Sequence, residues 1–123
     1  MYKFSKKSLE RLATCDKKLQ EICHELIREI DFTVICGYRT KGEQEKAVAG
    51  GFSKTPWPSS RHNIFPSQAV DIAPYNNGID WEDKPAFKEL SERFKRIAEE
   101  KGIRIVWGGD FKTFYDGAHF QLD

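Results

Sequence analysis

Apolar residues recur at helical spacing from Ser8 to about Glu29, and then the period changes. Leu9, Leu12, Leu19, Ile22, Cys23, Leu26, Ile27 and Ile30 form the stripe, and such a stripe must be covered by another layer of structure. Thr14 and Asp16 are cap-type residues in the middle of it, which predicts two consecutive helices and not one. FTVICG, from Phe32 to Gly37, is a short β-branched run closed by glycine and reads as a strand. Helices that must pack on strands leave few architectures open.

Lys41 to Ala49 reads as a short helix ended by Gly50-Gly51. The proline- and serine-rich stretch from Phe52 to Ser67 must be irregular, and a long connection in a small chain tends to carry function. Gln68 to Tyr75 is a second strand, with Ala69, Asp71 and Ala73 on one face and Val70 and Ile72 on the other. Asp83 followed by Lys84-Pro85 starts a helix whose stripe is Phe87, Leu90, Phe94, Ile97 and Ala98, and Gly102 closes it. Ile103 to Trp107 is a third strand, Gly108 to Gly117 a turn-rich connection, and Ala118 to Leu122 a last strand. The fold class expected is α+β: N-terminal helices and a long helix in the C-terminal half, packed on a mainly antiparallel sheet.

At 123 residues the chain fits one domain, 1–123, without repeat or linker. Its 20 basic and 19 acidic residues nearly cancel to a net charge of +1, which speaks against a nucleic-acid partner. Cys15, Cys23 and Cys36 are odd in number and form no CxxC, so they read as buried thiols and not as a disulfide framework. MYKFSKKSLERL holds no apolar run of signal-peptide length, and no later segment is apolar enough to insert into a membrane. Synthesis in the cytoplasm without a signal peptide is therefore expected, and a monomer is the default.

A catalytic zinc needs three ligands from the His, Asp, Glu and Cys set and an open position for water. The chain has three histidines. His24 lies in the apolar-striped helix without an acidic partner and reads as an ordinary helical side chain. His62 lies in the irregular loop, ahead of a strand that carries Asp71 between Val70 and Ile72. A mid-strand aspartate is costly to bury unless paired or metal-bound; a partner arginine or a solvent-facing strand would explain it equally well. His119 follows Asp116 by three residues, a spacing that can set a ligand and a general base around one water, although Asp116-Gly117 is also a plain turn dipeptide. Arg39 by itself reads as a surface ion pair. Tryptophans in so small a chain are mostly core; Trp57, in the loop before His62, is the one expected to line a substrate groove.

SRHNIFPSQAVDIAP, with GYRT upstream and FYDGAHFQL at the C-terminus, resembles the zinc D-alanyl-D-alanine carboxypeptidase and L-alanyl-D-glutamate endopeptidase superfamily. The resemblance is closest to the short phage endolysins that cut L-alanyl-D-glutamate bonds in peptidoglycan stem peptides, and it runs nearly end to end. It implies a Hedgehog/D-Ala-D-Ala peptidase-like fold, a Zn²⁺ cofactor, a peptidoglycan peptide as substrate and action on the bacterial cell wall. On the family's motifs, S-x-H and A-x-D fall on Ser60-Arg61-His62 and Ala69-Val70-Asp71, and D-x-x-H on Asp116-Gly117-Ala118-His119. The resemblance thus implies His62, Asp71 and His119 as zinc ligands, Asp116 as general base, and Arg39 of GYRT as the group that stabilises the developing oxyanion. Ser60 is a possible ligand- or substrate-bonding hydroxyl. Two departures stand out: NIFPSQAV makes a longer His62–Asp71 spacing than the commonest one, and the Trp107–Asp116 connection is short.

The rival activities are a D-alanyl-D-alanine carboxypeptidase on the same metal site and a zinc-binding module that no longer catalyses. The second would be free to lose Asp116 or Arg39, and both are present. An HNH-type nuclease, hinted at by His62-Asn63, lacks a second matching histidine arrangement and a basic surplus.

Overall fold

Each helix begins where a short polar side chain can satisfy its first free N–H groups. The computed structural model describes residues 2–123. Ser5 caps α1 (Lys6–Leu12) by accepting from Ser8 N, which starts the helix at Lys6, ahead of the expected Ser8. Asp16 caps α2 (Lys17–Leu26), so the long stripe is two helices, as expected. The Thr14 hydroxyl donates to the Arg11 carbonyl at 2.7 Å and closes the break between them. β1 is Phe32–Cys36. Thr40 and Glu43 form a capping box at the start of α3 (Lys41–Ala49), and Gly51 beyond its end adopts φ 79°. The irregular stretch that follows contains one 3-10 turn, Arg61–Asn63. β2 (Ala69–Pro74), α4 (Lys84–Glu100, capped by Asp83 with Pro85 in its first turn), β3 (Ile105–Trp107), a 3-10 turn at Gly108–Asp110 and β4 (His119–Leu122) complete the chain.

The strands are shorter than the sequence implies. Ile103 donates its N–H to the Ala98 carbonyl at 2.9 Å, which ties it to the end of α4 and leaves the third strand only Ile105–Trp107. Gln68, Tyr75 and Ala118 likewise fall outside the strands, although the Gln68 and Ala118 carbonyls still accept from Leu122 and Ile72.

The four strands are antiparallel throughout, in the order β1-β2-β4-β3, and the α+β expectation is borne out. β2 and β4 are central. Leu19, Ile22 and Leu26 of α2 and Leu90, Phe94 and Ile97 of α4 pack with Val34, Val70, Ile72 and Phe120 into one core. Phe94 stacks on Phe120 with ring centroids 4.1 Å apart. The sequence puts Val70 and Ile72 on one face of β2 and Asp71 on the other; both faces are covered, because Ala73 packs with Phe87 and Ala118 in a second, smaller cluster. Asp71 is therefore a buried carboxylate in the middle of the sheet.

Trp107 joins the core, but Trp81 does not: it lies two residues ahead of the α4 cap, stacked on Phe87 and 55% exposed. Cys15 and Cys23 are buried, and burial pushes the Cys15 thiol up to about 12. Cys36 is only half-buried, contrary to the sequence reading: it is the last residue of β1, past the register slip that follows Val34. Among the described residues no helix is long and apolar enough to cross a membrane.

Gly37, just after β1, is a point where the layers touch. A Cβ there would run into the Thr14 hydroxyl and the Arg11 carbonyl. Gly37→Ala is expected to destabilise the fold by about 1–3 kcal/mol through overpacking, read as a lower denaturant midpoint; an unchanged midpoint would mean that the junction yields freely.

Candidate active site

Asp71, in the centre of β2, faces Cys36 on β1 and His119 on β4 in the sheet register. Its Oδ1 lies 3.1 Å from His62 Nε2 and 3.1 Å from His119 Nδ1, and its Oδ2 accepts from Arg39 Nη2 at 3.2 Å. The two imidazoles meet edge to face, ring centroids 5.1 Å apart. His62 is 1% exposed and Asp71 9%.

The outer nitrogens decide what the inner ones can do. His62 Nδ1 lies 2.6 Å from the Gly37 carbonyl, an acceptor only, so Nδ1 carries the proton and donates. His119 Nε2 lies 2.8 Å from Gln121 Oε1 and donates in the same way. In a neutral ring the remaining nitrogen is then a lone pair, and both lone pairs point at the same carboxylate oxygen. Such convergence is stable only with extra protons or with a cation between the donors. Two neutral imidazoles and one carboxylate are a donor set suited to Zn²⁺, with their orienting partners already in place. The residues fit the ion.

Protons and cation compete for this point. Burial opposes charge on His62, but the charge and hydrogen bond of Asp71 outweigh it and push the imidazole up to about 10. Burial likewise opposes ionised Asp71, yet the charge of His62 and the hydrogen bonds of both histidines hold its carboxyl far below the usual carboxylate range.

Local sequence explains why His62 arrives here despite the long spacing to Asp71. Ser60 caps the 3-10 turn, accepting from His62 N at 3.2 Å, and the Asn63 side chain accepts from Ser60 N at 3.1 Å. The His62 carbonyl accepts from Arg39 N at 2.8 Å, which fastens the turn to the end of β1. Ser60 is thus buried, shaping the loop that carries His62.

Asp116 is half-buried in the turn before β4. Burial first, and then the charge of Asp71, raise its carboxyl above the ordinary value, against the pull of His119, His62 and Arg39. Its N–H donates to the Gly108 carbonyl at 3.0 Å, and Trp107 Nε1 donates to the Gly117 carbonyl at 2.8 Å. Gly108 has to be glycine: a Cβ would strike the Asp116 carbonyl and press on His119. Two cavities, of about 440 and 590 Å³, open on either side and share Arg39, Phe52, Asp71 and Asp116. The Asp116 carboxyl, the Arg39 guanidinium and the candidate metal donors therefore face one groove.

The matching family model, phage L-alanyl-D-glutamate peptidase, covers residues 1–122. The chain belongs to that family. It is 33% identical over 135 residues to the L-alanyl-D-glutamate peptidase of Escherichia phage T5, covering 98% of each sequence. The crystal structure of Serratia marcescens L-Ala D-Glu endopeptidase ChiX superposes with a TM-score of 0.82 at 32% identity, over 98% of this chain and 89% of that one. Membership of a peptidase family bears out the expected enzyme class, a hydrolase.

Within this family member, Arg39, Ser60, His62, Asp71, Asp116 and His119 all line the 440 Å³ side of the groove around Asp71. Trp57 does not: it lines a separate depression with Lys41, Val48 and Pro56. His24 is exposed on α2, edge-on to Phe4. Cys36, which the sequence offers only as a thiol, puts a donor atom within 4.8 Å of those of His62 and Asp71. Its sulfur approaches His62 at Nδ1, 3.9 Å away, on the nitrogen already committed to Gly37, while His119 shares the Asp71 side. Gln44 and Gln121, which orient the site, also escape the sequence reading, and Asn63 enters it only through the His62-Asn63 pair and not as an orienting group. Amides on a helix or strand give no signal until their partners are known.

With its imidazole pushed up to about 10 beside Asp71, His62 would carry a proton at neutral pH that a bound zinc would displace. Calorimetric titration at pH 7 in buffers of different ionisation enthalpy should show release of about one proton per zinc bound. Apparent affinity should climb with pH until about 10, where His62 deprotonates by itself; pH-independent affinity would contradict this arrangement.

Proposed function

We propose that the chain, acting as one zinc peptidase domain over residues 1–123, hydrolyses the bond between L-alanine and D-glutamate in bacterial peptidoglycan stem peptides. The observation that carries the reading is the convergence of His62 Nε2 and His119 Nδ1 on Asp71 Oδ1, in a groove that also presents Arg39 and Asp116. His62, Asp71 and His119 would hold Zn²⁺. When bound, the ion acts as a Lewis acid, lowering the pKa of a water and polarising a carbonyl.

The chain's own groups do the rest. Arg39, permanently charged, offers N–H donors to the oxygen of the alanyl carbonyl as negative charge develops there. Asp116 accepts a proton from the attacking water, whose oxygen bonds to the carbonyl carbon. The C–N bond then breaks, and Asp116 returns the proton to the departing amine of glutamate. A base raised by burial is better matched to this task near neutrality than a free carboxylate.

An endopeptidase is favoured over a carboxypeptidase by the groove, which runs to both sides of Asp71 and Asp116 and has room for peptide on each. Lys54, Arg61 and Lys112 line one side of it, complementary to an acidic peptide. Glutamate bonded through its nitrogen retains at least one carboxylate unless both are amidated. All the site residues come from one chain, so a monomer suffices. The natural place of action would be the cell wall.

Purified peptidoglycan incubated with the protein should yield new D-glutamyl amino termini by mass analysis, and chelation of zinc should abolish them; cleavage at another bond would redirect the reading. Asp116→Asn should lower kcat by about 10²–10⁴-fold while zinc content stays at wild-type level. An Asn variant of undiminished kcat would remove Asp116 as the base.

A further inference from the structure

α3 has one buried position, and that position is an amide. Gln44 is the buried residue of the helix, 0% exposed. Burial of an amide is costly unless every donor and acceptor is used, and here they are. Its Oε1 accepts from Arg39 Nη1 at 3.3 Å and from Asn63 Nδ2 at 3.2 Å. Its Nε2 donates to the Ser53 hydroxyl at 2.9 Å and to the Thr55 carbonyl at 2.6 Å. Two lone pairs and two N–H groups are the full capacity of the side chain.

Those four bonds join three parts of the site that are remote in sequence. Arg39 lies just beyond β1, Asn63 belongs to the turn that presents His62, and Ser53 and Thr55 form a wall of the groove. Asn63 Nδ2 also reaches the Arg39 carbonyl at 3.3 Å, which closes the network.

The consequence for Arg39 is geometric. Its guanidinium is held at Nη2 by Asp71 and at Nη1 by Gln44, and two anchors on a planar group fix its plane. Asp71 alone would not. A guanidinium facing one carboxylate prefers the paired, fork-like contact, which would turn Arg39 onto Asp71 and away from a carbonyl in the groove.

We propose that Gln44 is a positioning residue of this peptidase: through Arg39 it sets the group that stabilises the oxyanion, and through Ser53 and Thr55 it holds the groove wall. The proposal rests on the peptidase reading above. Gln44 is sealed from the groove and touches no substrate, so its effect on rate passes through Arg39.

A double-mutant cycle tests it, with zinc content and thermal melting checked for each protein. Gln44→Leu should lower kcat about 10-fold or more, since the oxyanion group is displaced and not removed, with zinc content unchanged. In an Arg39→Ala background the same substitution should lower kcat by less than about 3-fold, because the group it acts through has gone. Wild-type kcat in Gln44→Leu, or losses that multiply in the double variant, would overturn the proposal. Gln44→Glu serves if the leucine variant does not fold. It keeps an acceptor for Arg39 and Asn63 but loses both donors to the wall, so KM should rise while kcat stays within about 3-fold of wild type; a lost kcat with unchanged KM would overturn the proposal. A readout without substrate separates this proposal from the peptidase reading. In ¹⁵N NMR, rotation of the Arg39 guanidinium should be hindered in the wild type and freed in the Gln44 variant. Identical Arg39 signals in the two proteins would refute the role of Gln44 even if the bond cleaved proves to be a different one.

Discussion

An ionised carboxylate in the middle of a central strand is the constraint on which the rest of this structure turns. Asp71 sits between Val70 and Ile72, two core residues, with a strand hydrogen-bonded on either side. Its desolvation is offset only because three elements deliver cationic or proton-bearing groups to it: Arg39 from the end of β1, His62 from the 3-10 turn and His119 from β4. The same surroundings that make the carboxylate tolerable would suit it to hold a metal ion. Exchange of a proton for zinc would change what balances the charge and leave the framework as it is.

The framework around Asp71 is rigid for identifiable reasons. Two close approaches, at Gly37 and Gly108, leave no space for a side chain. The first lets the Gly37 carbonyl reach His62 Nδ1, and the second lets the Gly108 carbonyl hold the Asp116 turn. Trp107 is buried for packing, and its indole N–H then fixes the carbonyl next to Asp116. Core residues and site residues are in this way parts of one construction, in which the apolar layers set backbone positions and the polar groups read them out.

Much of this was legible in the sequence because it rests on local rules. The 3.6-residue stripe of Phe87, Leu90, Phe94, Ile97 and Ala98 fixes both the type and the buried face of α4, and Asp16 divides the first stripe because a cap residue cannot sit comfortably inside a helix. Strand ends were less legible: Ile103 has the character of a strand residue, but the end of α4 claims its N–H. Trp57 and Trp81 show the limit of reading aromatics by type: Trp57 lies outside both core and groove, and Trp81, exposed and not in the core, lines the second side of the groove. For the site, a motif resemblance picked out Arg39, His62, Asp71, Asp116 and His119, and the structure brings them together around one groove. Cys36 and the amides Gln44, Asn63 and Gln121 were not legible, because their roles exist only in contacts between residues distant in the chain.

The central claim is that zinc is held by His62, Asp71 and His119, with Cys36 left outside on the far edge of His62. X-ray absorption at the zinc edge of the metal-loaded protein tests this directly, because sulfur and the lighter donors scatter at different distances. The account predicts a first shell of nitrogen and oxygen only, at about 2.0–2.2 Å, with the outer-shell pattern of two imidazoles. A sulfur at about 2.3 Å, together with a single imidazole, would place Cys36 in the shell in place of His119 and contradict it.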